Sequence, residues 1–239
     1  MKPILFFLFL SVSAFAQQTF YLKDKTTENP VAYASIYNDK GTFKINSESD
    51  GSFTIPEDLK TETFIIESIG YEIIQTSLET SVVYMNDKSE TLEEMIIIPR
   101  LGTKEVKVGI SMKNKHYGFM VFSEQNVKAS TYFGNKYTID SDKFLFKKEI
   151  NLKTKSKVNH AKFAIRIYNV NEKGEPGQLL HDEPIYGIAN KGTSVSKINL
   201  EQLQLQLTSN DFFVFFEPLF INENHYTEKN YYGNSMSFY

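Results

Sequence analysis

The sequence predicts an all-β protein made of two β domains in succession. Three observations predict it. The chain of 239 residues is rich in aromatics, with 20 Phe, 14 Tyr and no Trp, and Phe, Tyr, Ile, Val and Thr suit a pleated, half-buried surface. Its apolar runs are short, alternate with polar residues and are punctuated by Pro, Gly, Asn and Asp. No run with helical period is long enough to define a helix, and no internal repeat is present. The apolar content of 41% is that of an ordinary globular chain of one or two domains.

Residues 1–16 read as a secretory signal. Lys2 supplies the positive start, Ile4 to Leu10 an apolar core that continues through Val12, and Ala14-Phe15-Ala16 the small residues of a cleavage site. The apolar run is shorter than the ~20 residues of a spanning helix. Cleavage leaves Gln17 first, and no later segment is apolar enough to span a bilayer as a helix. The expected location is beyond the inner membrane: periplasmic, outer-membrane-associated or extracellular. Cysteine is absent, which rules out disulfides and a lipid on an N-terminal Cys, so the core alone must hold the fold. A net charge of −3 is too small to steer the protein to nucleic acid.

The first domain is expected over 17–90. Thr19–Leu22 is its first strand. Asn29-Pro30 turns the chain into Val31–Tyr37, with Val31, Tyr33, Ser35 and Tyr37 on one face and Ala32, Ala34 and Ile36 on the other. Phe43 and Ile45 alternate with polar neighbours. Asp50-Gly51 signals a hairpin, because these residues tolerate the positive φ of a tight turn. Phe53 and Ile55 open a strand that Pro56 ends. Thr63–Ile69 is strongly apolar, Gly70 breaks it, and Tyr71–Leu78 continues as another strand. Such regular short strands argue for a sandwich.

Residues 91–105 form a linker, with Leu92–Ile98 a last strand or strand-like connection and Pro99 near the boundary. The second domain takes 106–239. Tyr117–Phe122 is one strand; Phe144, Phe146, Ile150 and Leu152 mark another with a change of phase. Ala161–Tyr168 places Phe163, Ile165 and Ile167 on one face and Ala164, Arg166 and Tyr168 on the other. Asn169–Gly177 is a polar loop and Val195–Leu200 a strand. Leu203, Leu205 and Leu207 alternate with Gln as a strand or irregular edge. Asp211–Leu219 is apolar enough for burial on both faces.

Three segments carry a family resemblance. Pro30-Val31-Ala32-Tyr33-Ala34-Ser35-Ile36, then Ser49-Asp50-Gly51-Ser52-Phe53, then Glu67-Ser68-Ile69-Gly70-Tyr71 resemble the carboxypeptidase regulatory-like domain over roughly 18–90. The resemblance implies a transthyretin-like β-sandwich, common in exported proteins of Bacteroidetes-type bacteria, in which these residues build the fold and are not catalytic. That domain often precedes TonB-dependent outer-membrane receptors, and Leu92–Ile98 looks like the stretch that follows it there. The several hundred residues of a plug and barrel do not follow. The second domain resembles, in Phe163–Tyr168, Pro176-Gly177, Leu179-Leu180 and Phe213–Glu217, the uncharacterised partner found in such proteins, and its pattern is that of a jelly-roll-like sandwich.

The residues of catalysis are mostly missing. His225-x-x-Glu228 has the spacing of two zinc ligands, but His116, His160 and His181 are scattered and no third ligand follows. There is no Cys, no Gly-x-Ser-x-Gly elbow and no phosphate loop. Asn46–Asp50 and the Asp140/Asp142 pair fall short of the six oxygens of a calcium loop. No catalytic, metal or cofactor residue is therefore assigned; a hydrolase with an unrecognised carboxylate site is the enzymatic alternative. Arg166 and Glu217, each inside an apolar strand, are either a buried pair or two solvated side chains; inward-facing, they must touch. Tyr226, Tyr231, Tyr232 and Tyr239, with Phe238, either fill a last strand or form an exposed aromatic surface for a ligand. The crowded lysines 147, 148, 153, 155 and 157 speak against a lipid-facing barrel. The function expected is a noncatalytic envelope module binding a protein or a polysaccharide; the alternative is a spacer or docking unit of a TonB-dependent system.

Overall fold

The structure is a computed structural model and describes residues 18–88, 108, 133–139, 145–146, 148–203, 205–207, 210–229 and 235–238. Among these, strand accounts for 56% and no helix reaches seven residues, so the chain is all-β. The expected signal segment and the strands at Leu92–Ile98 and Tyr117–Phe122 lie outside the described residues.

Seven strands form the N-terminal unit: β1 (Thr19–Asp24), β2 (Ser35–Asn38), β3 (Lys44–Asn46), β4 (Ser52–Thr54), β5 (Thr63–Glu67), β6 (Ile74–Ser77) and β7 (Val82–Met85). They pair as one sheet in the order β4-β1-β7 and a second in the order β3-β2-β5-β6, with β1 and β7 parallel. The strand period of two sends Phe20, Leu22, Phe53 and Met85 from the first sheet, and Ile36, Phe64 and Ile66 from the second, into one core.

Two expectations are corrected here. The strand expected at Val31–Tyr37 begins only at Ser35. Tyr33 takes a left-handed backbone at φ 58°. Residues before β2 bond elsewhere: Val31 N–H donates to Leu22, Tyr33 N–H to the Ser47 carbonyl and Ala34 N–H to Ser47 Oγ. Alternation therefore breaks, and Val31, Ala34 and Ile36 all enter the core. The second correction concerns Asp50-Gly51. Gly51 does turn the chain at φ 76°, but β3 pairs with β2 and β4 with β1. The turn therefore passes the chain from one sheet to the other and makes no hairpin. A Cβ on Gly51 would collide with the Leu22 carbonyl oxygen. Gly51→Ala is expected to cost at least ~1–3 kcal/mol, the range for a strained left-handed residue. Urea unfolding should show a lower midpoint at unchanged slope.

At the end of β1, Asp24 caps the following turn. Its Oδ1 accepts the N–H groups of Thr26 and Thr27 at 2.8 and 2.6 Å, and its Oδ2 accepts the Tyr71 hydroxyl at 3.0 Å. Chiefly through Thr27 N–H, and against the effect of burial, the carboxyl is lowered from 3.8 to about 2. Burial first, then Asp24, pushes the Tyr71 hydroxyl up to about 12. Asp87 is pushed up by desolvation and by its hydrogen bond to Asp24. A lowered folded pKa gives stability that is complete above the unfolded value and lost as pH falls through the folded one. In an Asp87→Asn background, Tm should fall between about pH 4 and pH 2, and Asp24→Asn should flatten that limb.

The described residues of the C-terminal unit form eleven strands: β8 (Phe133–Thr138), β9 (Leu145–Phe146), β10 (Glu149–Ser156), β11 (Ala161–Val170), β12 (Pro176–Leu179), β13 (Ile185–Ala189), β14 (Gly192–Asn199), β15 (Gln206–Leu207), β16 (Asp211–Pro218), β17 (Tyr226–Lys229) and β18 (Ser235–Phe238). The largest sheet runs β12-β11-β16-β8, with β13 also on β11; β10–β14, β9–β15 and β17–β18 pair separately. The single strand expected through Phe144, Phe146, Ile150 and Leu152 is two strands, β9 and β10, which pair with different partners. Ile165 and Ile167 of β11, with Phe212 and Val214 of β16, bury one face against Ile198, Leu200, Leu205 and Leu207. The other face of these two strands carries Ala164, Arg166, Phe215 and Glu217, and part of it meets the N-terminal unit.

Candidate functional site

The junction between the two units is polar on both sides. β2 presents Ser35 and β3 presents Lys44 and Asn46, which are buried, while Phe43 and Ile45 pack on the N-terminal core. On β3 the polar residues thus face inward toward the other unit. From the C-terminal unit come Arg166 and Glu217, 7% and 2% exposed. In the antiparallel ladder Ala164 lies opposite Glu217 and Arg166 opposite Phe215, so Arg166 and Glu217 are diagonal neighbours on one face.

Glu217 is the centre. Its Oε1 accepts from Lys44 Nζ at 2.8 Å and from Ser35 Oγ at 2.8 Å; its Oε2 accepts from Arg166 Nε at 3.2 Å. Arg166 Nη1 then donates to Glu67 Oε1 at 3.1 Å, tying β11 to β5. Burial pushes the Glu217 carboxyl up, but Lys44, Arg166 and the Ser35 hydrogen bond together outweigh burial and hold it below the ordinary value. The charges alternate across the junction in the order Lys44, Glu217, Arg166, Glu67. The expectation that Arg166 and Glu217 would touch if both were inward describes what the structure shows, and the contact extends to Lys44 and Glu67.

Hydrogen bonds continue along the junction. Asn46, fully buried, donates its N–H to the Phe220 carbonyl at 3.1 Å and accepts the Phe220 N–H on Oδ1 at 2.9 Å. Asn222 N–H donates to Glu48 Oε1 at 2.8 Å. Within the C-terminal unit, Asn224 Oδ1 accepts the Lys162 N–H, and its Nδ2 donates to the Lys162 and Leu219 carbonyls. Left-handed Tyr33 packs edge-on against Tyr186, centroids 4.9 Å apart, and its hydroxyl accepts from Lys162 Nζ at 2.8 Å. Burial pushes the Tyr186 hydroxyl up. Beside Tyr33, Arg166 and Tyr186 is a gap of about 20 Å³, room for about one water. A second gap of about 80 Å³ is lined by Glu48, Phe53, Phe220 and Asn222.

Chemically, the cluster is self-neutralising. Both oxygens of Glu217 are occupied by donors, and no buried side-chain polar atom among the described residues lacks a partner. Among the described residues, no three His, Asp or Glu side chains come together as a metal site. Glu228 pairs with Lys157 at 2.5 Å. His181 is buried, accepting Ile167 N–H on Nε2 with Nδ1 2.7 Å from the Glu183 carbonyl. That assigns the proton to Nδ1 and makes the ring a backbone brace.

Of the aromatic ligand candidates, Tyr226 lies on β17, half-buried and paired in register with Phe238. Tyr231, Tyr232 and Tyr239 lie outside the described residues. Sequence reading singled out Arg166 and Glu217 but missed Ser35, Lys44, Asn46 and Glu67. The available signal was the polar face of short β3 beside apolar Phe43 and Ile45. Comparison of the chain with protein-family models, with curated proteins and with solved structures found no match, so its residues alone carry the functional reading.

Proposed function

We propose that this chain is a noncatalytic, exported cell-envelope protein acting as an interaction module. In this reading a transthyretin-like sandwich is fixed against a jelly-roll-like one, and the ligand is an envelope protein or a polysaccharide. The observation that carries it is the closed coordination of Glu217 by Lys44, Ser35 and Arg166. A general acid or base needs an oxygen within reach of substrate, and this carboxylate has none to offer. What the cluster supplies is a fixed placement of two β surfaces, which a binding face composed of both requires. The carboxypeptidase regulatory-like resemblance of residues 18–90 agrees with a role that is not catalytic.

A second reading, a docking unit of an outer-membrane system, draws on β7. It pairs only with β1 among the described strands, and such an edge can recruit an added strand. One experiment addresses both readings. The full-length chain, expressed with residues 1–16 in place, is used to pull down envelope extract, with bound protein and bound polysaccharide both identified. A specific protein partner supports docking, and retained polysaccharide that stays intact supports the glycan version. Cleavage of the retained polysaccharide would overturn the noncatalytic reading, and retention of nothing would overturn the interaction module.

A further inference from the structure

The outer face of the β10–β14 ladder carries a row of lysines that the sequence separates and the fold assembles. The two strands pair antiparallel from Glu149↔Asn199 to Ser156↔Gly192. Thr154, Ser196 and Ile198 are buried on the inner face. The alternate positions face outward: Glu149, Asn151, half-buried Lys153 and Lys155 on β10, and Thr193, Val195, Lys197 and Asn199 on β14, with Glu149 at the far end accepting from Asn151 Nδ2. Lys197 lies opposite Asn151, so along the ladder come Lys197, then Lys153, then Lys155, with exposed Lys191 just beyond the Gly192 end. At ~3.4 Å per residue the row is about 20 Å long.

None of these four ammonium groups forms an ion pair with a described residue. The neighbouring lysines at either end do: Lys148 pairs with Glu201 and Lys157 with Glu228. The row is thus a local block of positive charge on a chain whose net charge is −3. Like charges side by side on a sheet destabilise it unless something neutralises them. Val195, 47% exposed, sits opposite Lys153 and leaves an apolar step within the row.

We propose that this face binds a linear acidic polysaccharide, with carboxylate or sulfate groups along the row and a sugar's apolar face on Val195. Charge complementarity selects a polyanion, and the length of the row, about 20 Å, selects an extended one. Stacking aromatics, the usual platform for single-stranded nucleic acid, do not occur among the eight outward residues. The large apolar face of a membrane-surface element is likewise missing there. The proposal names a ligand class for the interaction reading on a face of the C-terminal unit alone, not one composed of both units, and rests on that reading for the compartment.

The test measures binding of the full-length chain to alginate and heparin, with neutral dextran, duplex DNA and anionic lipid vesicles as comparison probes. The wild type is set against a row variant, Lys153→Gln/Lys155→Gln/Lys197→Gln, and a charge-matched variant, Lys25→Gln/Lys60→Gln/Lys173→Gln. All six substitutions are on lysines outside the buried set, so both variants are expected to keep the fold. The expected result is salt-sensitive binding to an acidic polysaccharide that falls at least about tenfold in the row variant and is kept in the charge-matched one. The slope of log affinity against log salt should fall by about two to three, on the scale of one released counterion per contact. Equal losses in both variants, equal binding of dextran, or tighter binding of DNA or vesicles would overturn the proposal. So would no binding to either acidic polysaccharide, whatever the envelope pull-down retains. If the row binds but the pull-down retains nothing, the envelope reading fails and the row stands.

Discussion

Glu217→Leu is expected to lower stability by about 3–5 kcal/mol, the cost of leaving a buried charge unpaired. Lys44 and Arg166 would stay buried without the carboxylate that neutralises them, and the Ser35 hydroxyl would lose its acceptor. Urea unfolding measures the loss. The companion variant separates charge from packing: Lys44→Met/Arg166→Met/Glu217→Leu should regain most of the stability, because no unpaired cation remains in the cluster. A triple variant as unstable as the single one would show that shape, not charge, matters there. The pH dependence has a definite sign. Glu217 is held below its ordinary value, so its contribution is full above about pH 4.5 and is lost as pH falls below that.

Asn46→Leu should have the next largest effect, about 2–4 kcal/mol. It strips the acceptor from the Phe220 N–H and the donor that Nδ2 directs at Ser35 Oγ and the Tyr33 and Ala34 carbonyls. Each buried group left unsatisfied costs ~1–3 kcal/mol. The backbone bond from Asn46 N–H to the Phe220 carbonyl survives, which sets the upper limit. Asn46→Asp keeps an acceptor but brings an unpaired charge, and should do no better. Hydrogen exchange of the Phe220 amide reports the local loss directly, since opening at the junction exposes it first.

The all-β class was legible because its signal is local. Alternation at Ala161–Tyr168 assigned both faces of β11 correctly, with Ile165 and Ile167 in the core. The strands that failed did so for nonlocal reasons. Val31–Tyr37 alternates well enough for a strand, but Ser47 and Leu22 take its backbone groups and Tyr33 turns left-handed. Asp50-Gly51 has hairpin chemistry, yet which strands a turn joins is decided by the sheets on either side. The junction was only half legible. Arg166 and Glu217 stood out as charges in apolar strands, whereas Lys44 and Ser35 look like ordinary outward residues of short strands. Their burial comes from a second unit more than a hundred residues away, as the 173-residue separation of Lys44 and Glu217 shows. The lysine row has the same character: Lys153 and Lys155 are visible together, but Lys197 joins them only through the ladder.

The claim that the buried charges hold the two units as one body is tested most directly by calorimetry of the wild type beside Glu217→Leu. One cooperative transition in the wild type, splitting into two in the variant, is the predicted result. Two independent transitions already in the wild type, with only one of them moved by Glu217→Leu, would contradict it.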